Sequence, residues 1–234
     1  MNLTLVTLNV FNNPDSRAGE REPLIVGELE RLDPAIVCLQ EVDLDPEQVH
    51  RWAEALDYRS FHLPNPGAAG GIKSLAMLAR LPVEALDVLE LPRDDRALRL
   101  HLDGVDVVTT HLLYDPTRAG SEVRVEQAER LVQWLRADVP NIVAGDFNSV
   151  PDGRTVAVMR RAGLRPAGRS DWTHPTPLVD IPGASERRAA VDHILVSEGI
   201  DVDDYGVCFG DSSDDDPALY PSDHRGLMAR LTLP

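Results

Sequence analysis

The sequence predicts an α/β fold in which some strands pair antiparallel, and three observations predict it. Apolar runs of strand length alternate with segments of helical period over residues 3–63 and again over residues 105–163. Between them three strand-like segments, SLAMLAR, VEALDVLEL and RALRLHL, follow one another across closely spaced turns, which favours antiparallel neighbours over a purely doubly wound parallel sheet. Polar residues also stand repeatedly where a buried strand ends.

Residues 3–10 alternate as a strand whose end carries Asn9, ahead of the turn-forming Asn12, Asn13 and Pro14. Residues 20–32 place Leu24, Ile25, Leu29 and Leu32 at helical spacing, with Pro23 near the first turn and Asp33-Pro34 as the stop. Residues 35–39 are a continuous apolar strand that runs into Gln40, Glu41 and Val42. A carboxylate there is costly unless it is solvated, paired or bound to a cation, so Glu41 is either a rim residue or a metal ligand. Asp45-Pro46 opens a helix through residue 56, residues 58–63 are strand-like, and residues 64–71 have the Pro, Asn and Gly content of a surface loop. The strand over residues 105–110 leads to His111, which reads equally as a satisfied core residue or as a group for proton and phosphate chemistry.

Residues 121–136 form the clearest amphipathic helix, with Ser121 as N-cap and Val125, Ala128, Leu131, Val132 and Leu135 on one face; Arg124 points toward the site or lies solvated, and the solvated reading is favoured. Residues 142–144 are a buried strand that Gly145 turns tightly, delivering Asp146 and Asn148 to the sheet edge. Asp146 can hold a metal or move a proton, and the Asn148 amide can donate to an anionic oxygen without adding negative charge. A helix over residues 152–163, closed by glycine, follows. Residues 165–188 are irregular, contain Trp172 and His174, and are expected to wall a substrate cleft; Trp172 reads equally as a plug over a sheet edge. Residues 191–196 are a strand with Asp192 and His193 near its start. Residues 201–216 read as a solvated acidic loop, and Asp223 and His224 precede a terminal strand over residues 227–233.

At 234 residues the chain suits one domain, residues 1–234, with a core that needs no disulfide staples. Two cysteines are too few for a secreted disulfide framework, and Cys38 lies in the apolar run AIVCL, where a buried thiol is expected. With no leader and no apolar run of bilayer length, the expectation is a soluble, cytoplasmic monomer. The formal net charge of −16 argues against a protein whose main task is to grip a phosphate backbone.

Six short pieces now stand in order across almost the whole chain: TLNV with Asn9, LQEV with Glu41, TTHL with His111, GDFNSVP with Asp146 and Asn148, VDHILVS with Asp192, and SDHRGL with Asp223 and His224. In this the sequence resembles the endonuclease/exonuclease/phosphatase superfamily of deoxyribonuclease I-like proteins. The resemblance implies a four-layer α/β sandwich, two packed mixed sheets flanked by helices, with a cleft at one end. It implies Glu41 as principal metal ligand with Asn9 and Asp223 in support, and Mg²⁺, or Mn²⁺, as the ion. His111, Asp146, Asn148, Asp192 and His224 become the catalytic set: Asp192 orients His224, which assists attack by water or stabilises charge on phosphorus; Asp146 positions or deprotonates the water or protonates the leaving oxygen; and Asn148 and His111 hold phosphoryl oxygens. Phe11 stands where some nucleases of the family carry a further Asp, and His193 where many members carry Tyr. The implied activity is metal-dependent hydrolysis of a phosphodiester or phosphomonoester. A small phosphoester or phospholipid head group ranks slightly above nucleic acid because of the acidity, and a non-catalytic interaction domain ranks last.

Overall fold

In the computed structural model, residues 1–13, 16–65, 73–179 and 186–234 are described. In chain order the elements are β1 (Asn2–Asn9), α1 (Ala18–Leu32), β2 (Ile36–Val42), α2 (Glu47–Ala55), β3 (Arg59–Leu63), β4 (Ser74–Ala79), β5 (Ala85–Glu90), β6 (Arg96–Leu102), β7 (Val105–His111), α3 (Arg118–Trp134), β8 (Asn141–Asp146), α4 (Arg154–Arg161), β9 (Arg165–Pro166), β10 (Asp192–Val196), β11 (Asp201–Cys208) and β12 (Gly226–Thr232). They form two six-stranded sheets, ordered β11-β12-β1-β2-β4-β3 and β5-β6-β7-β8-β10-β9. Each has one central parallel pair, β1 with β2 and β7 with β8, and antiparallel partners elsewhere. The mixed pairing expected from the helix-free run of residues 74–102 is observed.

Three apolar clusters make the layers. Leu5, Ile36, Cys38, Met77, Leu100, Val107, Ile142 and Ile194 meet between the sheets. Val6, Leu8, Val37 and Leu39, the alternate residues of the same strands, pack under Ile25 and Leu29 of α1 and Trp52 of α2. Val108, Val143 and Leu195 pack under Ala128 and Leu131 of α3 and Val156 and Met159 of α4. Side chains of a strand alternate between faces, so each central strand feeds two cores and reads as a continuous apolar run. The result is the four-layer α/β/β/α sandwich. Cys38 and Cys208 are both buried and free. Among the described residues no helix is long and apolar enough to cross a membrane.

Several local expectations shift. The cap of α3 is Thr117, whose hydroxyl accepts from the Gly120 amide at 3.2 Å, so the helix begins a turn before Ser121. Residues 201–208 are the edge strand β11 rather than a loop: its acidic side chains face water from an outermost strand, where charge discourages pairing with another chain. Of the expected loop over residues 64–71, residues 66–71 lie outside the described residues.

The row of side chains between the sheets positions the site. Along β1 it passes from Leu3 and Leu5 to Thr7 and Asn9; along β2 from Ile36 and Cys38 to Gln40; along β7 from Val105 and Val107 to Thr109 and His111; along β8 from Ile142 and Ala144 to Asp146. Gln40 bridges the sheets, donating to Thr109 Oγ1 at 2.9 Å. The space between the sheets is therefore apolar at one end and polar at the other.

Candidate active site

Register assembles the polar end. In the second sheet His111 pairs with Asp146 and Asp146 with Asp192, so three chemically active side chains stand in one row across β7, β8 and β10. In the first sheet Asn9 pairs with Gln40, and β2 then bulges against β4 between Gln40 and Val42. Glu41 sits in that bulge with φ +54°, a left-handed conformation rare for a non-glycine residue, and the bulge turns its carboxylate towards Asn9. Gly145 is obligatory: at φ +143° a Cβ would stand 2.0 Å from the Thr110 carbonyl oxygen.

All eight residues singled out in the sequence converge here. Asn9 Nδ2 lies 3.1 Å from both Glu41 Oε1 and Asp146 Oδ2, while its Oδ1 accepts from the Phe11 amide at 3.0 Å. Asn148 Nδ2 donates to Leu112 O at 2.9 Å and lies 3.2 Å from His111 Nε2. His224 Nδ1 lies 2.8 Å from Asp192 Oδ2, and its Nε2 faces Asp146 Oδ2 at 3.8 Å. Ser222 ties the last loop to the first strand by donating to Asn9 O at 2.6 Å, which sets Asp223 beside the cluster.

Sequence reasoning missed two residues at the site. His174 stacks on His224 with ring centroids 4.5 Å apart and points Nε2 to within 3.6 Å of Asp223; of the irregular segment holding it, His174, Pro175 and Arg187 line the cavity, and residues 180–185 lie outside the described residues. Arg124, expected in solvent, is 9% exposed and lines the same cavity. The cavity has a volume of about 520 Å³ and includes Glu41, His111, Asp146, Asn148, Asp223 and His224 in its wall. His193 lies on the other face of β10, its Nε2 2.7 Å from Ser149 O, with its ring edge-on to Phe147. Trp172 packs between the guanidinium groups of Arg188 and Arg225.

Electrostatics set these groups apart. Burial, aided by the nearby Asp223 and Asp146, pushes the Glu41 carboxyl up to about 7. Burial takes His111 down to about 4, which keeps its imidazole neutral. Burial also opposes charge on His224, but Asp192, Asp223 and Asp146 outweigh it and raise its pKa well above the ordinary value. Glu41, Asp146, Asp192 and Asp223 have imidazoles as ion-pair partners and, among the described residues, no lysine or arginine. Asp192 Oδ1 and His111 Nδ1 are buried without a hydrogen-bond partner. Two triads, His174 with Asp223 and His224, and Asp146 with Asp192 and His224, each bring their ligand atoms within 4.8 Å of one another. Clustered carboxylate oxygens with imidazole nitrogens beside them form a donor set that can take a divalent cation; Glu41 and Asn9 stand outside both triads, and Asn9 turns its amide nitrogen rather than its oxygen towards the carboxylates.

A four-layer α/β sandwich with an acidic, histidine-bearing cleft at the polar end of its sheets is the architecture of the deoxyribonuclease I-like hydrolases. Residues 6–224 match the Endonuclease/Exonuclease/phosphatase family, and the chain belongs to it. It is 34% identical over 161 residues to Protein angel of Drosophila melanogaster, covering 58% of this chain and 45% of that protein. It is 28% identical over 177 residues to Protein angel homolog 2 of Homo sapiens, covering 63% and 32%. The chain thus spans less than half the length of these relatives. Among solved structures, the human Nocturnin catalytic domain with bound sulfate superposes with a TM-score of 0.80 at 20% identity, covering 100% of this chain and 94% of that one. D. rerio TDP2 complexed with single-strand DNA product superposes with a TM-score of 0.77 at 20% identity, covering 99% of each.

Proposed function

We propose that this protein is a divalent-metal-dependent phosphoester hydrolase that acts on small phosphodiesters or phosphomonoesters. The observation that carries the reading is the set of four site carboxylates whose ion-pair partners among the described residues are imidazoles: Glu41, Asp146 and Asp223 line one cavity with His224, and Asp192 holds His224. Glu41, Asn9 and Asp223 would hold Mg²⁺ or Mn²⁺, and the bound cation would supply neutralisation of charge on the phosphoryl oxygens. Asp192 fixes the Nδ1–H of His224, so Nε2 faces the cavity; the raised pKa keeps the ring an imidazolium, which stabilises the negative charge that develops on phosphorus-bound oxygen. Asp146, held by the Asn9 amide, orients the attacking water. Asn148 and the neutral His111, whose Nε2 accepts from the Asn148 amide, border the phosphoryl position without adding negative charge.

Nucleic acid is the second reading, supported by the fold shared with a TDP2 that is bound to single-strand DNA product. The net charge of −16 weighs against long polyanions and leaves short ones. The reading is of a monomeric, cytoplasmic protein whose residues 1–234 work as one domain. Its test is hydrolysis of a nitrophenyl phosphodiester, a phosphomonoester, a dinucleotide, single- and double-stranded DNA and a lysophospholipid, with Mg²⁺ and with chelator. Chelator-sensitive turnover is expected, with His224→Ala lowering kcat by roughly 10³-fold. Turnover that survives both chelator and the substitution defeats the proposal.

A further inference from the structure

Two imidazoles in the cavity wall carry nitrogens that the fold leaves unused. His224 is 6% exposed; Asp192 takes its Nδ1, and its Nε2 has no hydrogen-bond partner among the described residues. The His174 side chain makes no hydrogen bond among them either: its ring stacks on His224 and brings Nε2 to 3.6 Å from Asp223 Oδ2. Asp223 accepts a single side-chain hydrogen bond among the described residues, a long one of 3.4 Å from Ser222 Oγ to Oδ1, which leaves Oδ2 to face His174. Both oxygens of Asp146, by contrast, are taken, Oδ1 by the Asn148 amide at 2.8 Å and Oδ2 by Asn9 Nδ2 at 3.1 Å.

Backbone bonds hold these open donors together. His174 bridges to Ala189, which donates to its carbonyl at 2.8 Å, while Thr176 N donates to Asp223 O and Arg225 N to Thr173 O, both at 2.7 Å. The two segments that carry the donors are thus joined on either side of them. One side-chain donor atom from each of His174, Asp223 and His224 lies within 4.8 Å of the other two. Donors held about 2.0–2.2 Å from one tetrahedral ion stand roughly 3.3–3.6 Å apart, a spacing that His174 and Asp223 already show. Mg²⁺ selects oxygen, whereas two imidazoles with one carboxylate and an open fourth position suit Zn²⁺. Asp192, on the far nitrogen of His224, is placed as the outer carboxylate that orients a metal-bound imidazole. We infer that His174, Asp223 and His224 form a Zn²⁺ site whose ligands exclude Glu41 and Asn9, and that Zn²⁺ bound there withdraws His224 Nε2 from phosphoester hydrolysis.

The site stands without the proposed hydrolase, and the inhibition rests on it. Calorimetry with Zn²⁺ alone compares the wild type, His174→Phe and Glu41→Ala. One saturable site is expected in the wild type and in Glu41→Ala, weakened at least tenfold in His174→Phe. No saturable binding, binding that His174→Phe leaves unchanged, or binding lost in Glu41→Ala overturns the site. Should His174→Phe fail to fold, Co²⁺ in place of Zn²⁺ reads the wild type directly: strong visible absorption of a four-coordinate ion is expected, and the weak bands of octahedral Co²⁺ alone defeat the site. For inhibition, Zn²⁺ is titrated into each protein turning over a nitrophenyl phosphodiester with Mg²⁺, each measured against its own rate without Zn²⁺. His174→Phe is expected to need at least tenfold more Zn²⁺ for half-inhibition, and equal sensitivity defeats inhibition through this site. A protein that binds Zn²⁺ as expected and hydrolyses no phosphoester upholds the site and defeats the hydrolase reading.

Discussion

At the end of the second sheet remote from the cavity, His101 places Nδ1 2.8 Å from Asp106 Oδ1 and Nε2 2.8 Å from Asp87 Oδ2. Arg99 pairs with Asp87 at 2.6 Å, and Arg136 lies 3.7 Å from Asp106. Asp106 Oδ2 accepts no hydrogen bond but lies 3.8 Å from Arg99 Nη1, and the Arg99 guanidinium stacks on Trp134. At the other end Glu41, Asp146, Asp192 and Asp223 have, among the described residues, only histidines as ion-pair partners. Asp106, Arg99 and His101 are buried, as most of the site residues are, while Asp87 and Arg136 reach solvent. What differs is whether opposite charge is supplied from within the chain. A matched cluster joins strands and loops; one short of cations is set up to take its missing charge from a ligand.

That contrast breaks most easily through stability. Asp106→Asn leaves Arg99 and Arg136 facing a neutral amide, and is expected to cost about 3 kcal/mol in chemical denaturation while leaving kcat unchanged. A loss of activity in a variant that remains folded would mean that the two ends are coupled.

The smaller effect has the opposite sign. The Glu41 carboxyl is raised to about 7 in the fold, against an ordinary value of 4.5 in the unfolded chain, so between these values the folded state holds the extra proton. Its destabilisation is therefore complete above pH 7 and disappears as pH falls through 7 towards 4.5. Glu41→Gln is expected to stabilise the chelated protein by roughly 1–3 kcal/mol at pH 8 and by nothing at pH 4.5. A gain independent of pH would show that ionisation of Glu41 is not the source.

Much of this arrangement was legible in the sequence because it follows from alternation. A strand that passes from apolar to polar on its inner row announces its own end, which is why Asn9, His111, Asp146 and Asp192 could be placed there, with the order of the six short pieces adding Asn148, Asp223 and His224. Glu41 was visible as a costly carboxylate, but the bulge that aims it was not, since a register shift depends on the partner strand. Arg124 was misplaced because α3 is spanned by loop carbonyls that only tertiary structure brings over its polar face. His174 carried no periodic signal, since its segment is ordered by Thr173 and Thr176 bonding to residues 189–192 and 222 rather than by its own backbone pattern.

The most direct test of the unmatched cluster is a calorimetric titration of Mg²⁺ at pH 8 into the wild type, Glu41→Ala and Asp106→Asn. Saturable binding in the wild type and in Asp106→Asn, absent in Glu41→Ala, is the predicted result. Absence of binding in the wild type, or binding that Glu41→Ala leaves unchanged, would contradict it.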